Sequence, residues 1–293
     1  MADIYRSAAS RQAIEAVYRR VLDRWPVPHD ELIAPTRQGR TFVVASGARE
    51  APPVVLFHGS GTNSGVWLRD VAEWARHCRV YAVDLIGEPG FSAPSRPPLS
   101  SSAYAEWLDD VWMHLGLARA SIVGVSLGGW LGLDYAVRRP ERVTSLSMVS
   151  PSGIGSQNQR TRVRIGLLRM CGAWGLRRSM QLVAGRADPL PRQVSDYLLL
   201  VFRNFRPRMQ KIPIKSDAEL AALTMPVQLI VGGQDALIRS EETRSRMERL
   251  VPHAHVTFLD GAGHVLPPQT SAIAEFIATA RATAAAAAAC GTA

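Results

Sequence analysis

Ser121-Ile122-Val123-Gly124-Val125-Ser126-Leu127-Gly128-Gly129-Trp130 changes character at its serine. Ser121 to Val125 is a short apolar run, the pattern of a strand buried on both faces. Leu127 to Val137 has the spacing of a helix. Between them Gly124-Val125-Ser126-Leu127-Gly128 fits G-x-S-x-G, a strand-to-helix turn so tight that the residues two before and two after the serine must be small. Such a turn lifts the Ser126 hydroxyl clear of the sheet. It also aims the amide of Leu127, at the helix N-terminus, toward any oxyanion formed beside that hydroxyl.

Working outward, the same alternation recurs on both sides. Thr41 to Ala45, Val54 to Phe57 and Val80 to Val83 read as strands. Val66 to Cys78 and Tyr104 to Leu115 read as helices, the first with Trp67, Val71 and Trp74 on one side. Val143 to Val149 is a further strand, and then the alternation stops. From Ser152 to Leu223 the sequence is helix-like, basic and interrupted by Gly and Pro. Strands resume with Val227 to Val231 and His255 to Leu259, separated by a helix near Glu241 to Leu250 and followed by a last helix from about Ser271. This predicts an α/β fold: a mostly parallel, doubly wound sheet with an inserted helical cap. Residues 1–151 and 224–283 form the core and 152–223 the cap, which should lie over the crevice at the carboxyl ends of the strands. An amphipathic helix carrying Ile14, Val17, Tyr18, Val21 and Leu22 precedes the core and ends at Trp25-Pro26-Val27-Pro28. Residues 284–293 are an alanine-rich tail expected to fray.

Composition narrows the function classes. Of 293 residues 47% are hydrophobic and 20% charged, which excludes a disordered chain. Cysteines at 78, 171 and 290 have no metal-like spacing, so neither a disulfide scaffold nor a zinc site is expected. No apolar run is long enough for a membrane span. The first 25 residues are charged throughout, unlike a secretory signal, and a cytoplasmic location is expected. The net charge of +9 is unevenly placed: Ser156 to Lys215 holds 13 basic and 2 acidic residues, and the remainder is close to neutral. A positive segment of this kind suits an anionic substrate, a membrane surface or nucleic acid, or is simply a solvated helical face. A nucleic-acid partner is not expected; a small molecule is. The sequence leaves the oligomeric state open.

A serine nucleophile needs a base, and the base an orienting acid. His264, in Gly261-Ala262-Gly263-His264, follows the strand ending at Leu259 and sits on a glycine-rich loop at the catalytic end of the sheet. His58 also ends a strand but reads as a structural hydrogen bonder. His77 and His114 lie in helices, and His253 and His255 lie at the wrong end of a strand. Asp235, in Gly232-Gly233-Gln234-Asp235, follows the strand Val227 to Val231 and is the favoured acid. Asp260 is a rival, close enough to His264 in sequence to cap its loop instead. Asp84 also ends a strand, but precedes the serine and reads as a loop hydrogen bonder. The second oxyanion donor should come from His58-Gly59-Ser60-Gly61, with the amide of Ser60 preferred and that of Gly61 as alternative.

The order Ser126, Asp235, His264 is joined by His58-Gly59, Asp84 through Gly90-Phe91-Ser92, Pro140-Glu141-Arg142-Val143 and Gly263-His264. On these motifs, from Thr41 to about Phe276 outside the cap, the chain resembles the α/β-hydrolase fold superfamily. The stretch to Trp25-Pro26-Val27-Pro28 and Asp84-Leu85-Ile86-Gly87-Glu88-Pro89-Gly90-Phe91-Ser92 make it most similar to bacterial carboxylesterases of the naproxen-esterase type. It departs from many relatives in having Gly87-Glu88-Pro89-Gly90 where they have Gly-His-Gly. The resemblance implies ester hydrolysis through an acyl-enzyme, with Ser126, Asp235 and His264 as catalytic triad, Ser60 and Leu127 as oxyanion hole, and no cofactor.

Sister chemistries of this fold that use an aspartate nucleophile are excluded by Ser126. Carbon–carbon bond hydrolases keep a serine and share the look of Gly59-Ser60-Gly61, but usually carry an aromatic residue after the catalytic histidine, where this chain has Val265. A binding module with a dead site is the alternative from another class. In the cap, Ile165, Leu167, Leu168, Trp174 and Leu198 to Leu200 either line an acyl or alcohol pocket or pack the cap against itself.

Overall fold

Each strand expected from the sequence forms, and one further strand precedes them. A computed structural model describes residues 4–185 and 192–290. Its strands are β1 (His29–Ala34), β2 (Thr41–Ser46), β3 (Pro53–Phe57), β4 (Arg79–Val83), β5 (Ala120–Val125), β6 (Val143–Val149), β7 (Val227–Gly232) and β8 (His255–Leu259). They form one eight-stranded sheet in the order β1-β2-β4-β3-β5-β6-β7-β8. β1 pairs antiparallel with β2, and β2 antiparallel with β4; all other neighbours are parallel. The chain reverses its direction across the sheet between β3 and β5, and the loops after these two strands flank the resulting crevice.

β1 escapes sequence reading because it is a polar edge. His29-Asp30-Glu31 has no apolar alternation, and its charges are met by arginines: Arg79 Nη2, from β4, donates to Asp30 at 2.7 Å, and Arg19 pairs with Glu31. Such charges blunt an edge strand against pairing with another chain.

Helices α1 (Ala8–Leu22), α2 (Val71–Trp74), α3 (Ala103–His114) and α4 (Leu127–Arg138) precede the segment 152–223; α8 (Asp217–Ala221) lies at its end and buries Leu220 in the sheet core, and α9 (Ser240–Leu250) and α10 (Thr270–Cys290) follow it. Successive strand residues point to opposite faces and fill two cores. Val43, Val55, Phe57 and Val83 face Trp107 and Trp112 of α3 and Leu131 and Tyr135 of α4. Val44, Val54, Leu56 and Ala82 face Tyr18 and Leu22 of α1, Trp74 of α2, and Ile273 and Ile277 of α10. Truncating a fully buried tryptophan such as Trp107 or Trp112 to alanine costs about 3–5 kcal/mol.

One local reading needs correction. Val66 to Cys78 is not one helix: a 3-10 turn spans Ser64–Arg69, capped by the Asn63 side chain, and α2 begins only at Val71. Trp67, Val71 and Trp74 are nonetheless buried together. The last helix runs through the alanine-rich stretch to Cys290, as suits the residue with the highest helix propensity.

The cap is α5 (Gln159–Met170), α6 (Gly172–Ala184) and α7 (Arg192–Asn204), inserted between β6 and β7. The N-terminal segment braces it. Ile4, Tyr5 and Ile14 pack on Val201 and Phe205 of α7 and its end, and Tyr5 forms an isolated antiparallel bridge with Phe205. α1 starts at a Ser7 cap that accepts from the Ser10 amide and stops before Pro26. Cys78 and Cys171 are free thiols. Among the described residues no helix is long and apolar enough to cross a membrane.

Candidate active site

Ser126 ends β5 and caps α4 with φ 54° and ψ −108°, a conformation that costs a non-glycine residue on the order of 1–3 kcal/mol. Its surroundings fix it there. The Ser126 amide donates to Val149 O at 2.9 Å, and its carbonyl accepts from Trp130 N at 3.0 Å. A Cβ on Gly128 would stand 2.1 Å from Phe57 O, and one on Gly124 2.4 Å from Gly128 O. No side chain fits at either position, which is the physical content of the small-x-Ser-x-small pattern.

The loops after β7 and β8 bring the other two residues in. Gly233 N donates to Leu259 O at 2.9 Å and Gln234 N to Ala262 O at 2.8 Å, locking the two loops together. His264 Nε2 lies 3.0 Å from Ser126 Oγ, and His264 Nδ1 lies 2.7 Å from Asp235 Oδ2. The other oxygen, Asp235 Oδ1, accepts from the amides of Leu237 at 2.7 Å and Ile238 at 3.1 Å. The carboxylate is fully buried and His264 nearly so. With Nδ1–H donating to Asp235, Nε2 is left as the acceptor of the Ser126 proton. Three residues separated by 138 positions at the extremes thus form one hydrogen-bonded relay.

The loop after β3 reaches over the serine. A Cβ on Gly59 would lie 3.7 Å from Ser126 Cβ. Of the two amides considered there, that of Gly61 is taken: it donates to Glu88 Oε2 at 2.7 Å. Among the described residues, the amides of Ser60 and Leu127 donate to no protein acceptor. Leu127 follows the serine directly, and Ser60 lies on the β3 loop. Glu88 is the residue sequence reading missed. Its signal was the departure Gly87-Glu88-Pro89-Gly90, and its contact with the β3 loop depends on β4 lying beside β3.

The remaining candidates are structural. His58 is buried; its Nε2 accepts from Leu85 N at 2.9 Å and its Nδ1 donates to Gly59 O at 2.9 Å, and burial pushes its pKa down. That ring stays neutral and ties the β3 loop to the end of β4. Asp84 accepts from the Tyr18 and Ser64 hydroxyls and from the amides of Ser64 and Phe91. Asp260 is exposed, and the His264 ring is bonded to Asp235 instead. His77, His114 and His255 are exposed, and His253 bonds Met225 O at 3.0 Å. In the cap, Leu199 packs on Leu176 and Met180, whereas Leu167 and Trp174 stand in solvent, so these two do not line a pocket.

Comparison with known proteins gives the family. The profile described as "Alpha/beta hydrolase family" matches residues 54–279. Carboxylesterase YbfK of Bacillus subtilis is 29% identical over 256 residues, 85% of this chain and 86% of that protein. A second Bacillus subtilis protein, described as "Uncharacterized carboxylesterase nap", is 31% identical over 257 residues, 85% of each chain. Among solved structures, carboxylesterase CesB (YbfK) superposes with a TM-score of 0.82 at 28% identity, covering 93% of this chain and 98% of that one. Naproxen esterase from Bacillus subtilis superposes with a TM-score of 0.81 at 26% identity, with the same coverage.

Proposed function

The chain belongs to the alpha/beta hydrolase family, and from that premise we propose that it is a serine hydrolase cleaving carboxylic esters of small molecules through an acyl-enzyme. Two Bacillus subtilis relatives covered over at least 85% of their length, and two solved structures covered over 98%, carry carboxylesterase in their names. The observation that carries the reading is the relay of 3.0 and 2.7 Å from Ser126 through His264 to Asp235 beside two unengaged amides.

In this scheme Ser126 Oγ attacks the ester carbonyl while His264 Nε2 takes its proton. Asp235 holds the ring in the Nδ1–H tautomer and stabilises the imidazolium. Negative charge develops on the carbonyl oxygen, where the Ser60 and Leu127 amides donate, each worth about 3 kcal/mol in the transition state. His264 then protonates the leaving alkoxide, so an alcohol departs and Ser126 carries the acyl group. Water, deprotonated by His264, attacks that ester, and the carboxylic acid leaves with Ser126 reprotonated. No cofactor enters these steps.

Turnover of a short-chain chromogenic ester tests the reading. A burst of alcohol, followed by steady turnover that Ser126→Ala abolishes, is the expected result. Absence of any turnover across esters varied separately in acyl and alcohol length would favour the binding module instead.

A further inference from the structure

α5 and the first turn of α6 show to solvent what a helix of a soluble protein ordinarily buries. Val163, Leu167 and Met170, spaced along one face of α5, are 63%, 60% and 82% exposed, and Trp174, which opens α6, is 67% exposed. Along these two helices the charge has one sign. Positions 159–185 contain six arginines and no acidic residue, and Arg160, Arg164, Arg177 and Arg178 are exposed. Apolar side chains, an indole and guanidinium groups on one exposed surface match a bilayer boundary: the apolar groups enter the acyl region and the arginines meet phosphates.

Other occupants fit less well. A second copy docking the same face about a two-fold axis sets arginines against arginines. Nucleic acid would satisfy the arginines and leave Val163, Leu167 and Met170 facing phosphate and water.

The position of this surface ties it to the site. The far end of α6 closes on the histidine loop, where a Cβ on Gly185 would stand 2.5 Å from Gly263 Cα, next to His264. From Trp174 to Gly185 the axial rise is about 16 Å. The exposed surface is therefore one helix length from the catalytic loop.

We propose that the α5–α6 surface of the cap docks the protein on anionic lipid membranes, so that its substrates include esters held at or partitioning into that surface. The docking itself does not depend on the ester reading, and it is measured on the wild type and on Ser126→Ala alike. The test is co-sedimentation of the full chain with phosphatidylcholine vesicles with and without phosphatidylglycerol. Binding should require the anionic lipid and fall steeply with salt. Replacing Arg160 and Arg164 by glutamine should weaken partitioning about fivefold per arginine. Leu167→Ser combined with Trp174→Ser should weaken it by about tenfold or more. Both double variants should hydrolyse a water-soluble short ester as the wild type does, which shows that they are folded. No preference for anionic vesicles, or binding indifferent to all four residues, overturns the proposal. So does a concentration-dependent dimer that the serine substitutions dissolve, because the surface would then belong to a second copy.

Discussion

Glu88 Oε2 accepts the Gly61 amide at 2.7 Å and the Ser60 hydroxyl at 3.2 Å, while Oε1 is buried without a partner among the described residues. The carboxylate thereby withdraws one amide from the oxyanion loop and leaves its neighbour free. Burial pushes the Glu88 pKa up, against the opposing pull of the Gly61 amide and of Arg96 and Arg208. A carboxyl whose folded pKa is raised binds protons more readily in the folded state. Its stabilising contribution is therefore present at acid pH and lost as pH rises through the raised value. Glu88→Gln removes that titration and keeps an acceptor for Gly61. The Tm difference between wild type and Glu88→Gln should shift against the wild type from pH 4 to pH 8. A difference flat across that range would mean that Glu88 does not titrate there. Glu88→Ala frees the Gly61 amide and slackens the loop, and kcat should fall by less than the roughly 10²–10³ that losing an oxyanion donor costs.

A fluorophosphonate should label the protein once, at Ser126. Reaction requires the hydroxyl proton to leave, and the hydrogen bond of 3.0 Å to His264 Nε2 provides for that at this serine. Ser150 is the informative comparison. It also has a positive φ, and among the described residues its buried hydroxyl has no partner, so it has strain without a base. Intact-mass measurement should give one adduct on wild type and none on Ser126→Ala. An adduct that persists in the variant would place the reactive serine elsewhere.

The parallel strands were legible because a strand buried on both faces needs a continuous apolar run, and Val54 to Phe57, Ile122 to Val125 and Leu229 to Val231 supply one each. β1 was not, because an edge strand answers to its partners rather than to a core: Asp30 is met by Arg79 and Arg49, and Glu31 by Arg19. The relay was legible because each member follows its own strand, and the fold brings strand ends together at one side of the sheet. The part played by Glu88 was not, since a carboxylate 27 positions from Gly61 becomes its acceptor only when β3 and β4 pair. The brace of Tyr5 and Ile14 against α7 was hidden for the same reason: periodicity shows that a helix has an apolar face and is silent on what covers it.

Part of the positive charge in the middle segment is structural. Lys215 is 5% exposed and donates to Asp134 Oδ1 at 2.6 Å and to Glu219 Oε1 at 3.0 Å. Asp134, on α4, also accepts from Arg138 Nε at 3.0 Å. The two partners are therefore unequal. Asp134→Ala strips Lys215 of its buried counter-ion and should cost about 3 kcal/mol or more, read from the urea midpoint. Lys215→Met leaves Asp134 paired with Arg138 and should cost distinctly less. The reverse order would mean that Glu219, not Asp134, holds Lys215.

Asp235 and Asp260 separate cleanly by substitution. Asp235 Oδ2 faces His264 Nδ1 at 2.7 Å while Oδ1 is pinned by two amides, so the carboxylate cannot turn away from the ring. Asparagine at 235 keeps the size and can keep its oxygen on the Leu237 and Ile238 amides. Its NH₂ group then points at the histidine. A donor there favours the tautomer with the proton on Nε2, which cannot accept from Ser126. Loss on the order of 10⁴ in kcat, with KM little changed and Tm near wild type, is expected for Asp235→Asn. Asp260 is exposed on the loop after β8, and Asp260→Asn should leave kcat nearly unchanged. Steady-state kinetics of the two variants on one ester, side by side, decides the matter: a silent Asp235→Asn with a severe Asp260→Asn would mean that the histidine swings to the surface carboxylate during turnover.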